Sequence, residues 1–136
     1  MASAAKKITR VLLAKFELES HDRGIYAVAK MLEHAGMEVI LHVFQKTEEV
    51  VGIAEQEDVD VIGVTTSSGD THLIFLPEII DQLKKKGMDK TIVIGGGRMI
   101  GDDVPILLEK GVRKVFGPGS QRDDIVNFIR EAVSIG

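Results

Sequence analysis

The sequence predicts a doubly wound α/β fold, a flavodoxin-like (Rossmann-like) sheet of five parallel strands with helices on both faces. Three observations carry this. Five short runs rich in Val, Ile and Leu alternate with five segments of helical periodicity. Several runs are apolar at successive positions, as parallel strands covered on both sides are. The connections are short, and right-handed crossovers then wind helices onto both faces. The expected strand order is 2-1-3-4-5, with its switch point between the first and third strands. Residues 1–136 read as a single domain, long enough to bury a core without staples, with residues 1–7 as a flexible extension.

The first run is Thr9 to Ala14. The helix after it begins near Asp22, an expected N-cap, and repeats Ile25, Val28, Ala29, Leu32 and Ala35 at helical spacing before Gly36 ends it. The second run is Glu38 to Val43, and its helix begins at Thr47 as a cap without a full capping box. Glu48 and Glu49 suit the positive end of that helix. The third run, Val59 to Thr65, precedes a helix from Thr71 to Lys86 that stops at Gly87. Lys84, Lys85 and Lys86 in its last turn read as a solvated face that offsets the helix dipole. The fourth run, Thr91 to Ile94, leads to a helix from near Asp102 to Gly111. The fifth, Lys114 to Phe116, leads to a helix from about Gln121 to Ile135 with Ile125, Phe128, Ile129 and Ala132 on its apolar stripe.

Composition narrows the function classes. Apolar residues make up 44% and charged residues 28%, so the chain reads as globular. It has no cysteine, which excludes disulfides, thiolate metal sites and a cysteine nucleophile and fits a reducing compartment. A net charge of −4 argues against a nucleic-acid partner, because phosphate binding wants a basic face. The first residues lack the apolar run of a signal peptide, and no stretch approaches the length of a membrane span. The expectation is a cytoplasmic protein without a membrane partner.

In open α/β sheets, ligands bind outside the carboxyl ends of the strands. Four loops leave those ends. The first, Lys15 to Gly24, concentrates Lys15, Glu17, Glu19, His21, Asp22 and Arg23. The third-strand loop reads Thr65-Thr66-Ser67-Ser68-Gly69-Asp70-Thr71-His72, the fourth Gly95-Gly96-Gly97-Arg98, and the fifth Phe116-Gly117-Pro118-Gly119-Ser120. Taken singly, a hydroxyl run can be a helix cap, three glycines a tight turn, and Gly-Pro-Gly-Ser a turn with an N-cap. Together they make three permissive walls around one polar loop, and small residues let a bulky ligand approach the backbone.

A lone loop histidine is ordinarily a surface residue. His21 differs in having Glu19 two residues before it and Lys15 four before that. A carboxylate that accepts one imidazole N–H fixes the tautomer and frees the other nitrogen for a metal. Lys15 can pair with Glu19, giving a Lys–Glu–His relay. His72, early in the third helix, reads as structural or rim-lining. His34 reads as a solvated helix position and His42 as a strand position facing outward.

These residues make the chain resemble the cobalamin-binding domain of adenosylcobalamin-dependent acyl-CoA mutases, the group that includes methylmalonyl-CoA mutase. That family shows Asp-x-His-x-x-Gly after the first strand, Ser-x-Leu after the third and Gly-Gly after the fourth. Here the positions read Glu19-Ser20-His21-Asp22-Arg23-Gly24, Thr65-Thr66-Ser67 and Gly96-Gly97. Glu19 is one methylene longer than the family's Asp, and Ser67 stands where the family has Leu. The resemblance runs from about Arg10 to Val133. It implies that His21 is the lower axial ligand of cobalt, with Glu19 and Lys15 behind it. It places the cofactor's nucleotide tail between the first and third strands, beside Thr65, Ser67, Gly69, Gly96 and Gly97, with Phe116, Gly117 and Ser120 near its base.

In such mutases the acyl-CoA site and the radical chemistry belong to a TIM-barrel domain, and no barrel fits in this chain. The resemblance therefore implies a small subunit that brings adenosylcobalamin to a large TIM-barrel acyl-CoA mutase subunit. The joint reaction is Co–C homolysis, hydrogen abstraction and a 1,2-rearrangement of the carbon skeleton, and the chain is not active alone. A corrinoid carrier for methyl transfer and a degenerate homologue acting as a regulator are the alternatives. A receiver domain would need an acidic pair after the first strand and an Asp ending the third, where Val64-Thr65-Thr66 stands. An FMN-binding flavodoxin would need a phosphate loop and flanking aromatics that the sequence lacks.

Overall fold

The computed structural model describes residues 8–17, 23–65, 71–97, 102–117 and 122–135. Strands β1 (Arg10–Phe16), β2 (Glu38–Phe44), β3 (Val61–Thr65), β4 (Ile92–Gly96) and β5 (Lys114–Phe116) alternate with helices α1 (Arg23–His34), α2 (Thr47–Glu57), α3 (Thr71–Lys85), α4 (Asp103–Lys110) and α5 (Arg122–Ile135). The sheet is parallel in the order β2-β1-β3-β4-β5, as the sequence predicts.

Alternation along the strands divides the core in two. Leu12, Ala14, Ile62, Val64 and Val93 pack against Val50, Val51 and Ala54 of α2, Leu76, Ile79 and Leu83 of α3, and Leu107 of α4. Val11, Leu13, Val61, Ile92 and Ile94 pack on the other face against Ile25, Ala29 and Leu32 of α1 and Ile125, Val126 and Ile129 of α5. β1 and β3 are buried on both faces, whereas the edge strand β2 leaves Leu41 and Val43 exposed. Gly63 lies in the close-packed centre. A Cβ there would come within 2.9 Å of Leu13 Cδ2 and 3.5 Å of Ile94 Cγ1.

Several boundaries differ from the sequence expectation for physical reasons. β1 continues two residues beyond Ala14 because Lys15 and Phe16 keep their pairing with Val43 and Phe44, and Phe16 closes an aromatic cluster with Phe44 and Phe75. β4 continues through Gly95 and Gly96, which pair with Val64 and Thr65. Thr47 is not the N-cap of α2, which is Lys46. The Thr47 side chain is buried, donates to the Glu78 carboxylate and accepts from Gln82 Nε2 at 2.8 Å, tying α2 to α3. The start of α2 is closed instead by Glu49, whose carboxylate accepts the Lys46 N–H at 3.3 Å and the Gln45 N–H at 3.4 Å. The exposed Lys84, Lys85 and Lys86 sit at the end of α3 as expected, and Gly36 and Gly111 take the positive φ of helix ends. Among the described residues no helix is long and apolar enough to cross a membrane.

Candidate functional site

The carboxyl ends of the strands form one straight rung. Val43 pairs with Lys15, Lys15 with Thr65, Thr65 with Gly96, and Gly96 with Phe116. Adjacent strands lie about 5 Å apart, so the rung from Lys15 to Phe116 spans roughly 15 Å. Four residues singled out from the sequence, Lys15, Thr65, Gly96 and Phe116, thus stand side by side. Each continues the alternation of the buried residues that face α1 and α5, namely Val11 and Leu13, Val61, Ile92 and Ile94. At the switch point the chain leaves β1 toward α1 on one face and leaves β3 toward α3 on the other, which opens a crevice above Lys15 and Thr65.

The glycines keep the β4 and β5 side of the rung low. A Cβ on Gly96 would meet nothing closer than the Phe116 carbonyl oxygen at 3.7 Å, and a Cβ on Gly117 or on Gly24 would meet nothing within 4 Å. The backbone there is open to close approach by a ligand. Gly97 has a φ of +112°, a conformation that side chains rarely adopt, and its N–H donates to Phe116 O at 3.2 Å. Phe116 is buried and meets Phe128 edge-on at a ring distance of 5.8 Å, which fixes the outer end of the rung. A cavity of about 460 Å³ opens beyond it at the β5 and α5 edge, where Lys114, Asn127, Phe128 and Glu131 surround Phe116.

Of the remaining predicted residues, Arg23 is the first residue of α1 and Gly24 the second. Glu19, Ser20, His21, Asp22, Thr66, Ser67, Gly69 and Ser120 lie outside the described residues, so the Lys–Glu–His relay does too. Glu17 ends the described part of the first loop. Its N–H donates to Phe44 O at 2.8 Å, and its carboxylate accepts Gln45 Nε2 at 2.8 Å. Among the described residues no three His, Cys, Asp or Glu side chains are grouped to hold a metal.

Of the other histidines, His42 is placed differently from the sequence reading. His42 does not simply face outward. Half-buried, it bonds Glu49 at 3.0 Å and holds that carboxyl below its ordinary pKa. His72 takes the structural of the two places the sequence allowed, not the rim. It is 1% exposed in the first turn of α3, and its Nε2 meets Asp103 Oδ2 at 2.8 Å in the first turn of α4. The carboxylate accepts, so Nε2 carries the hydrogen. His72 Nδ1 is buried and has no partner among the described residues. A signal for this was present in the sequence. His72 lies four residues before Leu76 and seven before Ile79, on the buried stripe of α3. His34 is exposed, as expected.

Comparison with known proteins places this geometry. Residues 9–127 match the family model described as the B12 binding domain. The chain is 44% identical over 126 residues to the 2-hydroxyisobutanoyl-CoA mutase small subunit of Aquincola tertiaricarbonis, covering 92% of each chain. It is 40% identical over 130 residues to the pivalyl-CoA mutase small subunit of Xanthobacter autotrophicus, covering 95% of this chain and 86% of that one. Among solved structures, a cobalamin-binding protein from Desulfitobacterium hafniense superposes with a TM-score of 0.76 at 21% identity, over 91% of this chain and 58% of that one, a likeness of fold.

Proposed function

The chain belongs to the B12 binding domain family, and on that premise we propose that it is the small subunit of an adenosylcobalamin-dependent acyl-CoA mutase, holding the cofactor for a separate large subunit. The observation that carries this reading is the rung Lys15–Thr65–Gly96–Phe116. Four of the residues that the resemblance assigns to the cofactor or to its support stand in register at the carboxyl edge of the sheet, which supports the reading. The low glycine side fits a bulky ligand, since Gly117 faces open space and Gly96 carries no side chain to stand in the way of close approach. The two small-subunit relatives, matched over nearly their whole length, support the division into two chains.

In this reading His21 would be the residue that holds the cofactor's cobalt. Glu19 accepts the imidazole's other N–H and sets the tautomer, and Lys15 pairs with Glu19. Ser20 and Asp22 would complete the motif before α1, and Arg23 and Gly24 open that helix. Thr65, Thr66, Ser67, Gly69, Gly96 and Gly97 line the groove for the nucleotide tail, and Phe116, Gly117 and Ser120 form its base. When bound, the cofactor supplies a cobalt–carbon bond that can break homolytically; the protein supplies binding and orientation. The acyl-CoA pocket and a TIM barrel belong to the large subunit, so the chain alone turns over no substrate. The pair works in the cytoplasm.

The test is retention. The chain is mixed with hydroxocobalamin, alone and with the large subunit of an acyl-CoA mutase, and passed over a gel-filtration column. Cobalamin colour co-eluting with the protein in either case is the expected result. Colourless protein in both cases contradicts the reading.

A further inference from the structure

We propose that His72 is itself a cofactor-binding residue, its Nδ1 receiving an N–H or O–H donor from the bound corrinoid. The proposal rests on the reading of the chain as a cobalamin carrier. It starts from an unmatched atom. His72 is 1% exposed, and its Nδ1 has no partner among the described residues although it is buried. Buried polar atoms in folded proteins almost always have one.

Asp103 decides what kind of partner is missing. Its carboxylate takes the Nε2 hydrogen at 2.8 Å. In the tautomer that carries its hydrogen on Nε2 alone, Nδ1 is a lone-pair acceptor, and the group it lacks is a donor. Position decides where it comes from. Helical side chains tilt toward the helix N-terminus, and both residues lie in first turns, so the dyad sits at the strands' carboxyl edge. It joins the two helices that follow the β3 and β4 loops, behind Thr65 and Gly96. A corrinoid carries suitable donors in two places, the primary amides around the ring and the ribose hydroxyl of the nucleotide tail.

The two ring nitrogens can be separated by substitution. His72→Gln keeps an amide N–H near the Nε2 position for Asp103 and removes the acceptor at Nδ1. His72→Asn keeps an amide oxygen near the Nδ1 position and gives up the bond to Asp103. Wild type and both variants are titrated with hydroxocobalamin and with cobinamide, which lacks the nucleotide. The expected result is about tenfold weaker cobalamin binding for His72→Gln, with His72→Asn closer to wild type. Loss with both ligands assigns the donor to a ring amide; loss with cobalamin alone assigns it to the nucleotide. Wild-type affinity in His72→Gln, or equal loss in both variants, overturns the proposal and leaves the dyad as a clasp between α3 and α4. A second measurement needs no variant. In the ¹⁵N-labelled wild-type chain, the His72 Nδ1 resonance should move on saturation with diamagnetic Co(III) cobalamin in the direction of an accepted hydrogen bond, and an unmoved resonance overturns the proposal. Wild type that retains no cobalamin fails the carrier reading instead, a distinct result.

Discussion

Lys15 and Thr65 are direct partners across the β1–β3 ladder, and they form the floor of the crevice where the chain parts toward opposite faces of the sheet. Thr65 is half-buried there, and its hydroxyl is a polar group at the base of the groove. Thr65→Val keeps the β-branched shape of the strand and removes only that hydroxyl. The expected outcome is an unchanged fold by circular dichroism and cobalamin binding weakened about threefold to tenfold, read by absorbance titration.

Two glycines on the adjacent strands β3 and β4 should respond in opposite ways to the same methyl group. Gly63→Ala puts a Cβ 2.9 Å from Leu13 Cδ2 in the packed core, and overpacking of this kind costs about 1–3 kcal/mol. Gly96→Ala meets only ordinary contact at 3.7 Å, so stability should stay within about 0.5 kcal/mol while cobalamin binding weakens. Urea unfolding and cobalamin titration of both variants check the pair.

Thr47 links α2 to Glu78 and Gln82 of α3 from a buried position. Thr47→Val retains the volume and strands both partners, for an expected loss of about 1–3 kcal/mol in urea unfolding. Glu78→Ala in the same background should cost less than it does alone, because the two groups form one network.

Glu49 is held below its ordinary pKa first by the side-chain bond to His42; desolvation opposes this, and the N–H groups of Gln45 and Lys46 add to the lowering. A lowered folded pKa means that the ionised form stabilises the fold above the unfolded pKa and that this contribution disappears as pH falls through the folded value. An NMR titration of the Glu49 carboxyl should therefore show a midpoint below the ordinary glutamate range. His42→Ala should raise that midpoint, and acid unfolding should then be less sensitive to Glu49→Gln.

The sheet order was legible because the βα rhythm and the short connections leave few alternatives. The strand ends were less so. Lys15 at the end of β1 and Gly95-Gly96 at the end of β4 have the composition of loops, yet each keeps its ladder partner. Thr47 looks like a cap in sequence, and only the approach of α3 reveals why it is buried. The rung residues were legible from loop composition and from the family motif together. The His72–Asp103 pair joins residues 31 positions apart, and no local pattern announces a contact made between two helices. The spacing of His72 with Leu76 and Ile79 puts it on the buried stripe of α3 but says nothing of its partner.

We propose that His21 ligates cobalt in place of the cofactor's own base. The direct measurement is electron spin resonance of the Co(II) cobalamin complex, prepared with ordinary chain and with chain labelled by ¹⁵N-histidine, alongside His21→Ala. A lower-ligand nitrogen splitting that changes from triplet to doublet on labelling, and that is lost in His21→Ala, is the predicted result. A triplet that is unaffected by labelling and survives in His21→Ala would show that the cofactor keeps its own base and would contradict the claim.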